Sequence, residues 1–251
     1  TVSAVFDGVF DFDGVPVTWD RIRELHRSCA PNLAAFGLLW THCRIVALLA
    51  RDFARRYAFR AKRQGLSGPN EQLVVVGGLL HDIGRKEQFA DPALCHAAVG
   101  SEKARVFLLQ HGFAEDFADR VAHCILAHRF RKANPPQSIE AKILFDADKL
   151  DATGAIGIAR TLQFKADTKS AIYTIRPDGT VSNGEEEEGS SFFREYQFKL
   201  KKLYDRFYTL AGARMARERQ KIARDFYESL YREVSCGYTD GAQQLREMLE
   251  E

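Results

Sequence analysis

The feature that most constrains this sequence is a His-Asp pair, His81 and Asp82, at the end of an apolar run rich in small residues. An isolated histidine, His42, precedes the pair in another apolar segment, and Asp148 follows it in a third. Two imidazoles and two carboxylates in this order can converge on one divalent ion from three helices. Because a buried, unpaired carboxylate is costly without a cation, the pattern favours a metal site over a packed core histidine.

The spacing of apolar residues around these positions predicts an all-α fold. His42 shares a helical stripe with Ile45 and Leu49, so its imidazole should point inward. The following helix carries a Gly-Gly pair at 77–78, which permits close approach of a neighbouring helix, and Gly84 is expected to end it. The predicted helices cover residues 40–59, 71–82, 92–112, 115–130 and 139–164, and two more close the chain within about 191–235.

One segment departs from the helical pattern. Residues 171–182 hold two short β-prone runs around a Pro-Asp-Gly turn, which predicts a β-hairpin insertion. The four glutamates at 185–188 follow in a polar stretch that we expect to be a solvated, mobile loop. We expect a single domain over residues 1–251, with a metal-binding core at about 35–165, the insertion and polar loop at about 166–190, and C-terminal helices at about 191–235.

Charge and composition exclude some classes of partner. The chain has 36 basic and 34 acidic residues and no long basic tract, so a nucleic-acid-binding surface is not indicated. The sequence contains no run of about 18 apolar residues, so membrane spanning is not supported. It does not open with a basic segment followed by an apolar stretch, so export is not supported either. Five scattered cysteines fit buried thiols in a reducing compartment, so we expect a cytoplasmic location. The chain begins at Thr1 without Met, so the sequence leaves open whether an upstream residue or segment precedes it.

Three aspartates compete for the last ligand position in the segment DADKLD. Asp148 shares a helical stripe with Leu144 and Asp151, whereas Asp146 is turned from Asp148 by roughly 200° on a helix. We therefore predict Asp148 as the metal ligand and Asp151 as a supporting or proton-handling residue. Asp146 is predicted to be a surface or capping acid.

The ordered set of two histidines and two aspartates, with the stretch DADKLDATGAIGIAR at 146–160, resembles the HD-domain superfamily of metal-dependent phosphohydrolases. The chain is similar to the bacterial branch that includes nucleoside triphosphate pyrophosphohydrolases. The likeness runs from His42 to Arg160 and resumes over 192–209, and Ile45 departs from the arginine that many members carry after the first histidine. The resemblance implies an HD-domain helical bundle with four metal ligands: His42, His81, Asp82 and Asp148.

The same resemblance suggests accessory roles. In two-metal relatives, histidines at places comparable to His96 and His128 complete a second ion bridged by the residue matching Asp82; we favour the alternative that both assist phosphate chemistry at one ion. Asp151 or a neighbouring carboxylate would accept the proton of the attacking water. The predicted catalytic residues are Asp82, Asp151, His128 and His96. The cations predicted to bind substrate phosphate are Arg85, Lys86, Lys149 and Arg160. The histidines predicted to be surface or structural are His26, His111 and His123.

The leading functional hypothesis is divalent-metal-dependent hydrolysis of a nucleotide, with release of pyrophosphate from a nucleoside triphosphate. The alternatives are an HD-fold di-iron oxygenase and a non-catalytic module that binds a metal or nucleotide. Mixed nitrogen and oxygen ligands leave the ion open among Mn, Mg, Fe, Co, Ni and Zn. The expected partner is a small phosphorylated molecule rather than a nucleic-acid polymer or a membrane, and the oligomeric state is left open.

A competing motif lies near the start of the chain. Asp11 and Asp13 in VFDFDGVPVT imitate the nucleophile loop of haloacid-dehalogenase-type phosphatases. That chemistry requires a parallel α/β sheet, which the helical remainder of the chain does not provide. We therefore prefer an Asp-Gly turn between two short extended segments.

Overall fold

The computed structural model describes residues 10–12, 15–17, 19–129 and 133–250, and it confirms the predicted all-α fold. An antiparallel pair, β1 (Phe10–Phe12) and β2 (Val15–Val17), precedes the helices. The helices are α1 (Trp19–Ser28), α2 (Leu33–Arg63), α3 (Glu71–Leu80), α4 (Arg85–Ala90), α5 (His96–Gln110), α6 (Glu115–Ala127), α7 (Ile139–Leu150), α8 (Gly154–Asp167), α9 (Phe192–Phe198), α10 (Leu210–Ser235) and α11 (Gly241–Glu250). The chain divides into two compact units, residues 1–148 and 149–251.

The first unit is built around α3. Every residue from Leu73 to Leu80 is buried, as expected for a helix that is apolar on all sides. This helix packs against α2 and α6, while α5 packs against α6 and α1 against α2. Gly78 makes the contact with α2 close, because a Cβ at this position would lie 2.7 Å from the Cα of Ala47. The predicted role of the Gly-Gly pair in close helix approach is confirmed.

The turn after α3 is also shaped by a close approach. α3 ends at Leu80, two residues earlier than predicted, and residues 81–84 form a turn before α4. Gly84 has a φ of −89°, so it is not a left-handed stop. A Cβ there would collide with the carbonyl oxygen of His96 and lie 2.7 Å from the amide nitrogen of Gly100. Gly84 therefore lets α5 pack directly against the turn.

The prediction of one continuous helix over residues 139–164 is wrong. α7 ends at Leu150 and α8 begins at Gly154, whose φ of +62° lies in the left-handed region. The Thr153 hydroxyl donates a hydrogen bond to the carbonyl oxygen of Leu150 at 2.6 Å, which satisfies one of the last carbonyls of α7. Asp151 consequently lies in a turn, and the helical stripe that was to align it with Asp148 does not extend that far.

The prediction that Asp146 is a surface or capping acid is also wrong, because its exposed fraction is 0%. Helical-face reasoning separates inside from outside only where one face of a helix meets water. α7 is instead buried on most of its sides, through Ala141, Ile143, Leu144, Phe145, Ala147 and Leu150.

In the second unit, α10 packs against α8, and α8 packs against α9. The rings of Tyr196 and Tyr227 stack with centroids 4.1 Å apart, which joins α9 to α10. Tyr204 accepts a hydrogen bond from the amide of Gly154, and Arg219 donates one to the carbonyl oxygen of Leu150. These contacts hold the turn between α7 and α8 from within the second unit.

The predicted insertion at 171–182 turns back on itself but pairs through one antiparallel bridge, between Ile175 and Val181. The glutamate stretch is not wholly solvated, because Glu187 is buried and accepts a hydrogen bond from the Ser191 hydroxyl. The expected short extended segments near the start of the chain are β1 and β2; the Asp-Gly turn between them lies outside the described residues. No described helix has the length and apolar character needed to cross a bilayer.

Candidate metal centre

The four predicted ligands lie together in the first unit. His42 projects from α2, His81 and Asp82 from the turn after α3, and Asp148 from α7. His42 Nε2 lies 3.2 Å from His81 Nε2, 3.3 Å from Asp148 Oδ1 and 3.6 Å from Asp82 Oδ2. His81 Nε2 lies 3.7 Å from each of the same two carboxylate oxygens. Ligand atoms that each lie about 2.0–2.2 Å from a shared ion are separated from one another by distances like those between these four side chains. The donor set therefore fits a divalent ion.

Asp82 stands between this cluster and a second pair of histidines. Its Oδ1 atom lies 3.4 Å from His96 Nε2 and 3.7 Å from His128 Nε2, and those two nitrogens are 3.3 Å apart. Arg85 donates a hydrogen bond from Nε to the same oxygen at 2.9 Å. One oxygen of Asp82 therefore faces the predicted ligand cluster, and the other faces two histidines and a guanidinium.

Three of the histidines are oriented by hydrogen bonds at Nδ1. A ring that donates its Nδ1 proton presents an unprotonated Nε2 when neutral, which is the form that binds a metal. The Nδ1 partners are the Gly78 carbonyl oxygen at 2.8 Å for His81, the Ile125 carbonyl oxygen at 2.6 Å for His128, and the Gln88 Oε1 atom at 2.7 Å for His96.

Burial and neighbouring charges shift the pKa values of Asp82, His81 and His96. Burial by itself would raise the pKa of Asp82, but His81 and Arg85 beside it hold this pKa well below its usual range. Burial favours neutral His81, yet the facing Asp82 carboxylate raises the pKa of His81 to about 10. Burial and the Arg85 guanidinium lower the pKa of His96 to about 3. A divalent ion binds neutral imidazole and so takes the place of the His81 proton.

The cations predicted to bind phosphate have different surroundings. Arg85 forms the hydrogen bond to Asp82 described above. Lys86 is exposed, and its Nζ donates a hydrogen bond to the Ser28 carbonyl oxygen at 3.3 Å. In the second unit, Lys149 lies in the last turn of α7, and Arg160 forms an ion pair with Asp151.

Sequence reasoning assigned no role to Gln88 and did not predict the contact of His26 with the end of α3, directly before the turn that carries His81 and Asp82. Gln88 is eight residues before His96, and no motif marks it as the partner of that ring. His26 was predicted to be surface or structural; it is fully buried, with Nε2 2.5 Å from the carbonyl oxygen of Leu79. Of the other two histidines in that prediction, His123 is exposed and His111 is half-buried.

Two histidines and two aspartates that converge on one point of a helical scaffold are typical of helical proteins that bind a metal ion. Residues 39–153 match the HD domain family. The matched range contains every residue of the cluster, from His42 to Asp148. The resemblance to the HD-domain superfamily is thereby confirmed.

Similar proteins are known from bacteria. The chain is 33% identical over 131 residues to the uncharacterized protein YpgQ of Bacillus subtilis, a match that spans 51% of this chain and 58% of that protein. A crystal structure of YpgQ is similar with a TM-score of 0.59 and 26% identity, covering 86% of this chain and 94% of that one, and YpgQ has also been crystallised with ADP. An HD-superfamily hydrolase from Bacillus thuringiensis is similar with a TM-score of 0.57 and 27% identity, covering 85% of this chain and 96% of that one.

Proposed function

We propose that this protein is a divalent-metal-dependent phosphohydrolase that acts on a nucleotide. The observation that carries the proposal is the convergence of donor atoms from His42, His81, Asp82 and Asp148. The HD domain match supports hydrolysis, and the ADP complex of YpgQ supports a nucleotide as substrate. The leading version is conversion of a nucleoside triphosphate to the monophosphate with release of pyrophosphate.

In this proposal the four ligands hold the ion. A bound divalent ion supplies Lewis acidity toward a phosphoryl oxygen and a water of lowered pKa. Asp151 accepts the proton of the attacking water, with Arg160 holding its carboxylate. His128 assists departure of the leaving group by donating a proton from Nε2 of its protonated ring. The same role predicted for His96 is not supported, because its Nδ1 proton goes to Gln88 and its pKa of about 3 leaves Nε2 without a proton to give.

The cations predicted to bind phosphate differ in role. Arg85 keeps Asp82 ionised and oriented through its hydrogen bond to Oδ1. Lys86, Lys149 and Arg160 contribute positive charge toward the phosphates of the substrate. Their number suits a substrate with more than one phosphate group, as expected for a nucleoside triphosphate.

The direct test is a screen of nucleoside mono-, di- and triphosphates and of generic phosphoesters with Mn, Mg, Co, Ni, Zn and Fe, with identification of the products. Release of pyrophosphate from a triphosphate supports the leading version, whereas release of orthophosphate assigns a different bond. Absence of any phosphate product with all six ions would favour the non-catalytic binding module.

Metal binding should stabilise the fold. At a free Mn²⁺ concentration about 100 times Kd, binding to the native state contributes about 2.7 kcal/mol. For a chain of this length we expect a rise in Tm of roughly 5–10 °C over the EDTA-treated protein, measured by scanning fluorimetry. The Asp148→Asn variant should show a much smaller rise, and an equal rise in that variant would place the ion elsewhere.

A second candidate function rests on the other oxygen of Asp82. Because His96 and His128 lie 3.4 and 3.7 Å from Oδ1, a second ion bridged by Asp82 would give the ligand set of a di-iron oxygenase. Arg85 donates to that same oxygen, so a second ion would have to displace it. We favour one ion per chain; two bound iron ions and consumption of oxygen would establish the oxygenase instead.

The role of His128 can be separated from metal binding. We expect His128→Gln to lower kcat roughly 10²-fold, because a leaving-group donor is lost, while metal content stays at one ion. His123→Gln is the matched control, since His123 is exposed on α6, the helix that ends directly before His128. Metal content by plasma emission spectroscopy and steady-state kinetics provide the readouts. Loss of bound metal in His128→Gln would make His128 a ligand.

A further inference from the structure

We propose that His26 is a positioning residue for the metal ligands His81 and Asp82, acting through the turn that carries them. His26 lies on α1, outside the ligand set, and its Nε2 is 2.5 Å from the carbonyl oxygen of Leu79. A carbonyl oxygen only accepts, so Nε2 carries the proton and donates it. The inference rests on the metal site of the proposed function but not on the identity of the substrate.

The end of α3 creates the need for this donor. In a continuing helix, the amide of Ile83 would donate to the carbonyl oxygen of Leu79; it donates instead to Leu80, at 3.3 Å. The carbonyl of Leu79 lies in the buried interior, where an unpaired oxygen is strongly unfavourable. By taking the place of the helical amide, His26 stabilises the turn that directs His81 and Asp82 toward His42.

The far end of the turn is held in a similar way. Lys103 on α5 donates to the carbonyl oxygen of Ile83 at 3.2 Å and forms an ion pair with Glu87 at 2.7 Å. Side chains from α1 and α5 therefore fix the backbone on both sides of the two ligands. Movement of either anchor would change the direction in which the ligands point.

A histidine suits this position because it stays neutral there. Burial lowers the pKa of His26 to about 4, and its ring lies edge-on to Trp40 with centroids 5.0 Å apart. A neutral ring donates to the carbonyl without adding a positive charge that would oppose a bound cation. The hydrogen bond to Leu79 and the burial of the ring therefore both favour a neutral His26 that donates from Nε2.

The test compares variants by titration calorimetry with Mn²⁺ on the full chain and by the electron paramagnetic resonance spectrum of the bound ion. His26→Phe keeps a ring and removes the donor, whereas His26→Gln retains an N–H group. Ile22→Ala, one turn earlier on α1 at another buried position, controls for lost packing of that helix. We expect His26→Phe to weaken Mn²⁺ binding about 10-fold or more and to alter the spectrum. His26→Gln should restore most of the affinity, and Ile22→Ala should lower Tm but keep Kd within about twofold.

The proposal is overturned if His26→Phe binds Mn²⁺ as tightly as the unmodified protein, or if Ile22→Ala loses as much affinity. Failure of the proposed function is a separate result. A protein that binds Mn²⁺ in a His26-dependent manner but hydrolyses no phosphorylated compound overturns the function and leaves the positioning role standing. If the unmodified protein binds no Mn²⁺, both proposals fall.

Discussion

Replacing Asp82 with alanine is expected to abolish metal binding and to lower turnover by more than about 1,000-fold. The two oxygens of Asp82 face different histidine pairs, so its removal takes one carboxylate from the centre of the cluster. The imidazoles of His42 and His81 would then face each other with less negative charge nearby, which lowers their combined affinity for a cation. Metal content, Mn²⁺ titration and initial rates measure the effect.

Two further variants separate loss of a ligand from loss of the fold. Asp82→Asn keeps the volume of the side chain and an oxygen for Arg85 but removes the negative charge, and it should fail to bind metal while keeping the circular dichroism of the unmodified protein. Asp119→Ala removes an exposed acid that pairs with Arg105 on the surface and should leave metal binding unchanged. Normal metal content in Asp82→Ala would remove Asp82 from the ligand set.

The largest stability effect is expected for Gly78→Ala. A Cβ at this position would lie 2.7 Å from the Cα and 2.9 Å from the amide nitrogen of Ala47, so the backbones of α2 and α3 must separate. Overpacking of this kind costs about 1–3 kcal/mol, and the backbone contact places this variant at the upper end. Urea denaturation provides the free energy of unfolding. Because His42 lies on α2, we also expect weaker Mn²⁺ binding.

The neighbouring glycine is the matched control. A Cβ at position 77 would lie 3.2 Å from Cδ2 of Leu144, the end of a side chain that can rotate away. Alanine also stabilises a helix relative to glycine by about 0.5–1 kcal/mol. Gly77→Ala should therefore lie within about 1 kcal/mol of the unmodified protein. Equal destabilisation by both substitutions would show that the spacing of α2 and α3 is not set at Gly78.

The proposed ligand set could be named from the sequence because its polar and charged residues lie in otherwise apolar segments. A carboxylate at the end of an apolar helix, as at Asp82, needs a cation. The glycine pair at 77–78 predicts a close contact with a neighbouring helix. His96 and His128 could be named as candidates, but their placement opposite Asp82 Oδ1 depends on how α5 and α6 pack, which no local pattern encodes.

Predictions that relied on helical phase failed where the helix itself was misjudged. The prediction that Asp146 lies at the surface assumes that α7 has a solvent-exposed face, but this helix is buried on most of its sides. The predicted alignment of Asp151 with Asp148 requires a helix that continues through residue 151, whereas α7 ends at Leu150. The Thr-Gly step at 153–154 was the available stop signal, since glycine readily adopts the positive φ found there.

From the sequence alone came the helical class, the glycine-mediated helix contact, the HD resemblance and the four residues proposed as metal ligands. These follow from local chemistry, because hydrophobic period, a misplaced charge and a small-residue pair each act over a few positions. Only the tertiary structure decided which oxygen of Asp82 faces which histidines, that Arg85 donates to Asp82, and that His26 lies against the carbonyl oxygen of Leu79. Such contacts join residues up to tens of positions apart, and they depend on how whole helices pack rather than on any neighbouring residue.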